Sequence, residues 1–179
     1  MDNFAEQLVK KNLTASEKTR HTVKVVAGVI GTLILLIVGI LFLGNPVPSL
    51  IGFLLAVGAG YGTFVTMQSS YIEYEYAFTN GELDVDKIIA KKKRKAMIST
   101  DVREFTAFGK YSEDIEEDEN MTVIISSDNI ASHEYYADFK HADYGFTRLI
   151  FSPDERILEN IQKYLPANLR VKFLREETK

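Results

Sequence analysis

The residues whose types could do chemistry lie downstream of residue 70. The most concentrated feature is five consecutive cations, Lys91, Lys92, Lys93, Arg94 and Lys95. Such a run attracts anionic phospholipid headgroups, at about 1 kcal/mol per side chain near the surface. It also suits a solvated turn, a topology signal or a partner site. Six acids fall within Glu113–Glu119. That run reads as a solvated loop or an intramolecular partner for the cations, and it lacks the glycine and ligand alternation of a calcium loop.

Carboxylates recur at Glu73, Glu75, Asp84 and Asp86. Paired carboxylates can do acid–base work or hold a metal, but a solvated strand face is the simpler account. His133 and His141, with Asp138 and Asp143, are metal-ligand types without a metal-site spacing. Ser, His and Asp occur with no nucleophile motif around them. The absence of Cys excludes disulfides, thiolate metal sites and a Cys nucleophile. No cofactor is expected.

The elements that must position these residues come in two kinds. The averages, 26% charged and 46% hydrophobic over 179 residues, are those of a soluble globular protein. Yet the 46 residues from Val25 to Ser70 contain no Asp, Glu, Lys or Arg, where average composition would place about 12. Two apolar runs lie inside, Val25–Leu43 and Val47–Met67. Each has roughly the 20 residues that a helix needs to cross a bilayer. Neither shows the polar face of a soluble core helix. A cleaved signal peptide fits the first run badly, with 24 residues before it and no small-x-small site behind it. Gly44-Asn45-Pro46 links the runs, too short for anything but antiparallel neighbours.

Flanking cations set the orientation. Lys10, Lys11, Lys18, Arg20 and Lys24 precede the first run, and Lys87 and the 91–95 cluster follow the second, while the link has none. The expectation is a multi-pass protein of the cell membrane with both termini cytoplasmic. Gly52, Ala56 and Gly60 fall four apart on one face of the second helix. Gly58 and Gly62 form another such pair, and Ala27 and Gly31 do so on the first helix. Small residues at this spacing let helices approach closely, within a hairpin or between copies. No ionisable group marks an ion path. Residues 1–24 form a tail in which Phe4, Leu8 and Val9 share a helical face, as in an interfacial helix.

Residues 71–179 are enough for one domain. They hold 16 Lys+Arg against 22 Asp+Glu, a net of −6, so no basic nucleic-acid footprint is present. Ile72, Tyr74, Tyr76 and Phe78 alternate with polar residues, then Asn80-Gly81 gives a strong hairpin signal. A two-residue turn there makes partner numbers sum to 161, with Phe78 facing Leu83, Tyr76 facing Val85, and Glu75 facing Asp86. The same rule sets Lys91 opposite Ser70. Further strands are expected near 95–100, 102–108, 121–127, 134–140 and 146–151, about seven in all. Ser152-Pro153-Asp154-Glu155 reads as a capping box opening a helix near 153–165, with Ile157, Leu158, Ile161 and Leu165 on one face. Leu169–Leu174 alternates as in a last short strand.

About seven antiparallel strands followed by one amphipathic helix resemble a pleckstrin-homology (PH) type domain. A two-helix hairpin feeding such a domain resembles the bacterial membrane-anchored PH-like proteins. The run YEYAFTNGELDVDKIIAKKKRKAMISTDVREF, Tyr74 to Phe105, resembles an uncharacterised family of small clostridial membrane proteins. The implied class is α+β, a transmembrane helical hairpin followed by a PH-like sheet or barrel with a C-terminal helix. The resemblance brings no known activity. PH domains that bind inositol phosphates place cations around the loop between their first two strands, and Asn80-Gly81, the loop expected there, has none. The functional expectation is a non-enzymatic membrane protein, bound to the lipid bilayer and to a protein partner or further copies of itself. A channel or transporter subunit and a membrane-tethered hydrolase are the alternatives.

Overall fold

The computed structural model describes residues 3–112, 114–115 and 120–177. The chain divides into two compact units, one of residues 1–12 and 72–179, the other of Leu13–Tyr71.

The second unit is two helices, α1 (Ala15–Leu41) and α2 (Pro46–Gln68). Both are long and apolar enough to cross a membrane. α1 begins ten residues before the apolar run, because Thr14 and Glu17 form a reciprocal capping box. Pro46 opens α2, where its missing N–H costs nothing. The helices pack antiparallel at small residues. A Cβ on Gly52 would lie 2.8 Å from the Gly39 Cα, so the two backbones touch there. The Ser49 hydroxyl donates to the Gly39 carbonyl at 2.9 Å.

The first unit is two four-stranded sheets and two short helices. One sheet runs β1 (Phe4–Lys10), β2 (Ile72–Thr79), β3 (Glu82–Ile89), β4 (Lys93–Asp101), all antiparallel in that order. The other contains β5 (Ala107–Lys110), β6 (Thr122–Ile125), β7 (Tyr135–His141) and β8 (Gly145–Phe151), in the order β5-β7-β8-β6. β6 pairs parallel to β8 and the other pairs are antiparallel. α3 (Glu155–Tyr164) and α4 (Ala167–Glu177) close the chain. The core is aromatic. Tyr76, Phe78, Phe108, Phe139, Phe151 and Phe173 are almost fully buried. Phe105, Phe108 and Tyr135 stack in a ladder with centroids 6.0–6.2 Å apart. Tyr76 ties the sheets together: its hydroxyl donates to the Ser126 carbonyl (2.6 Å) and accepts from the Ser152 N–H (3.1 Å).

Several expectations need correction. Residues 4–10 form no interfacial helix. They are a strand paired along its length with β2, and Ala5 and Val9 enter the core. The alternation is faint in the sequence because its inward positions are Ala5, Gln7 and Val9, while the larger apolar Phe4 and Leu8 face outward. Gln7 is held by the Ser152 carbonyl and the Asp154 N–H (3.0 and 2.7 Å). Among the described residues the strands therefore number eight, and the domain begins before the helices. Residues 102–104 are a 3-10 turn ahead of the short β5. The cap of α3 is Asp154, whose carboxylate accepts from the Ile157 N–H, and not Ser152. Leu169–Leu174 is helical: Leu169 and Phe173, four apart, are buried while Val171 is 58% exposed.

Candidate functional site

Strand pairing gathers one group of cations at a single end of the β1–β4 sheet. The β2–β3 register is the expected one, from Thr79 opposite Glu82 to Ile72 opposite Ile89. It ends there, because the chain turns at Ala90 rather than continuing to a partner for Ser70. Asn80 and Gly81 make the first turn with positive φ, as their types favour. The second turn does the same with Ala90 (φ 53°) and Lys91 (φ 57°). Left-handed backbone costs an L-residue with a Cβ roughly 1–2 kcal/mol, so this tip holds strain that a glycine would relieve. Strain of this kind concentrates at functional positions.

Beyond the turn, Lys93 pairs with Ile89, Arg94 with Ile88 and Lys95 with Lys87. The run is thus half turn and half strand, and all five residues are exposed. At the same end, β1 finishes at Lys10, opposite Glu73, and the Lys11 N–H donates to the Ile72 carbonyl at 3.0 Å. The rim therefore comprises Lys10, Lys11 and residues 91–95. It surrounds the hydrogen-bonded point where the chain departs for α1 and returns from α2. The loop between the first two strands of the fold is this 61-residue excursion, not Asn80-Gly81.

Arg94 differs from its neighbours. It forms an ion pair with Glu75 on β2 and reaches Asp86 at 3.7 Å. The carboxylate pair that faces across β2 and β3 is thereby bridged by a guanidinium from the basic run. Glu75 is largely buried, and its pKa is raised. Burial is the main cause, followed by a hydrogen bond shared with Glu6 of β1, and together they outweigh Arg94. Among the described residues, Lys91, Lys92, Lys93 and Lys95 form no salt bridge. Most of the acidic run Glu113–Glu119 lies outside the described residues.

Other chemically suggestive residues are placed as follows. Asp128 accepts from the Ser152 hydroxyl at 2.9 Å, and its other oxygen lies 3.3 Å from His133 Nδ1. Ser, Asp and His thus meet, but with the carboxylate in the middle. A nucleophilic triad needs the imidazole between Ser and Asp. His141 stacks on Tyr144 at 4.9 Å. Asp138 binds Arg148 through two 2.7 Å hydrogen bonds, both side chains nearly buried, with Arg148 over the Tyr136 ring. Sequence spacing could not reveal that pair, since it joins adjacent strands. Among the described residues no group of three His, Asp or Glu side chains is placed to hold a metal.

In the helical unit, Gly52 abuts Gly39, Ala56 is buried, and a Cβ on Gly60 would meet Thr32 at 3.6 Å. These three therefore pack within the helix pair. Gly31, Gly58 and Gly62 face open space.

Two four-stranded sheets, closing helices and two long apolar helices between the first and second strands define an α+β, PH-like protein. The chain belongs to the family described as Bacterial PH-like domain (DUF6106), whose model matches residues 1–171. That match runs through both apolar helices. No curated protein and no solved structure matches the chain.

Proposed function

We propose that this is a non-enzymatic integral membrane protein. In this reading α1 and α2 span the cell membrane as a hairpin and present the PH-like domain to a partner at the inner leaflet, with both termini cytoplasmic. One observation carries it: Lys11 and Ile72 are hydrogen-bonded, so the intervening excursion is closed. A path that leaves and rejoins one point crosses a bilayer an even number of times. The two helices therefore span together or not at all. Leu41, Val47 and Val57 are 68–75% exposed, a surface that hydrocarbon solvates and water does not. Cleavage behind α1 would remove β1, whose Ala5 and Val9 belong to the core, which argues against a signal peptide.

Orientation rests on the cations at both ends of the excursion and their absence from Phe42–Asn45. The basic rim then faces anionic headgroups, each cation adding about 1 kcal/mol. The inverted Ser152–Asp128–His133 order and the bridging of Glu75 and Asp86 by Arg94 favour a role in binding over hydrolysis. The partner is a protein or a second copy of the chain, for which the open faces of Gly58 and Gly62 leave room. The net charge of −6 beyond the helices disfavours nucleic acid.

The natural absence of Cys makes single-cysteine labelling clean. A cysteine at Asn45 is expected to react with an impermeant maleimide on intact cells, and one at Lys140 only after permeabilisation. The reverse pattern overturns the topology. The share of anionic phospholipid co-purified with the full chain from mixed phosphatidylcholine–phosphatidylglycerol bilayers is expected to fall when Lys91, Lys92, Lys93 and Lys95 become Gln; no change removes the headgroup role.

A further inference from the structure

β4 and β6 are each the terminal strand of their sheet. Between them lies a groove of about 380 Å³. Its apolar walls are Ile89, Met97, Ile124 and the ring of Tyr144, and Lys87 and Lys95 line it as well. Met97 reaches it because of a bulge: Val85 pairs with Ile98 and Asp86 with Ala96, so Met97 has no partner on β3. A bulge of this kind re-aims a side chain.

Lys87 and Lys95 are direct cross-strand neighbours. Like charges in that relation destabilise the pair of strands, and an anion lying between them removes the repulsion. Among the described residues neither lysine forms a salt bridge. Two adjacent ammonium groups on an apolar groove are complementary to an amphiphile with a negative head. The groove is at the small end of ligand-sized sites, roughly 300–1,000 Å³, too small for a whole two-chain lipid. Lys95 also belongs to the basic rim, so the groove opens directly beside it.

We propose that this groove takes one anionic phospholipid of the bilayer, with its phosphate on Lys87 and Lys95 and part of one acyl chain against Ile89, Met97 and Ile124. The inference rests on the membrane reading above, since it draws the ligand from the inner leaflet.

The test uses the full chain in nanodiscs of phosphatidylcholine, doped with a diazirine-bearing analogue of either phosphatidylglycerol or phosphatidylcholine. Adducts are mapped by mass spectrometry. The phosphatidylglycerol analogue is expected to label the peptides containing Met97 and Ile124 as well as α1 and α2, and the phosphatidylcholine analogue the helices alone. Lys87→Gln with Lys95→Gln is expected to lower groove labelling roughly 10- to 30-fold while helix labelling holds. Met97→Trp, which fills the groove and leaves the charges, is expected to abolish adducts at Ile124. Equal groove labelling by both analogues overturns the proposal, as does helix labelling without groove labelling. So does an amine-reactive reagent yielding Lys95–Lys95 linked dimers with the groove protected, because the occupant is then a second copy. Absence of helix labelling overturns the membrane reading itself, and the lipid site with it.

Discussion

Large apolar side chains behave in opposite ways in the two units. In the PH-like unit Phe78, Leu83 and Phe151 have no exposed surface, whereas in the helical unit Leu41 is 75% exposed and Val57 71%. The side chains buried between the helices are small: Gly39, Ser49, Gly52 and Ala56. One unit is held by burying bulk away from water. The other is held by bringing backbones together, where the side chains that could fill a core face outward. The difference is the one that the proposed membrane reading requires. Burial of apolar area drives assembly only where the alternative is water.

That contrast can be broken at its strongest point first. Phe151→Ala is expected to destabilise the PH-like unit by about 3–5 kcal/mol through lost burial and a cavity, while Leu54→Ala, a 63% exposed position, leaves its urea midpoint unchanged. Equal effects would mean that the two units share one solvent. Asp138→Ala is expected to cost about 3–5 kcal/mol in the same measurement, because it strands Arg148 as an unpaired buried charge.

In the helical unit the sensitive change is addition rather than removal. Gly52→Leu drives a side chain into the Gly39 backbone, an overpacking cost of about 1–3 kcal/mol. Disulfide yield between cysteines placed at Thr32 and Gly60 is expected to fall with it and to survive Gly58→Leu, which faces open space.

Two smaller effects concern the sheet end. Ala90→Gly is expected to raise the unfolding midpoint by about 1 kcal/mol equivalent, since it relieves a left-handed Ala. Glu75 adds a pH dependence. Its pKa is raised in the folded state, so the folded chain binds that proton more tightly than the unfolded one. Its contribution favours folding at low pH and is lost as pH rises from the ordinary carboxylate value through the raised one. Glu75→Gln is expected to flatten the stability–pH curve over that window. An unchanged slope would show that burial and Glu6 do not govern this carboxyl.

Local signals reached the elements whose partners are close in the chain. Asn80-Gly81 set the β2–β3 register residue by residue, and Pro46 opens α2 where the link between the two apolar runs ends. β1 was beyond such signals, because its alternation of Ala5, Gln7 and Val9 has meaning only against β2, more than sixty residues on. The α4 pattern misled for a related reason. Leu169, Val171 and Phe173 alternate in sequence, but Phe108 and Tyr135, packed 5.2 and 6.1 Å from Phe173, select the helical face. The basic rim was half legible. The run itself was plain, while its junction with Lys10 and Lys11 and the diversion of Arg94 to Glu75 needed the sheet.

By itself the amino-acid sequence determined that the chain holds two apolar runs of membrane-spanning length, because the 46 residues from Val25 to Ser70 include no Asp, Glu, Lys or Arg. It also determined the hairpin turn and the cluster of cations, which are local in the chain. Only the tertiary structure decided that the helices are an excursion between the first and second strands of one sheet. Closure of that excursion is a hydrogen bond between Lys11 and Ile72, and a contact across 61 residues is set by packing, which no local propensity encodes.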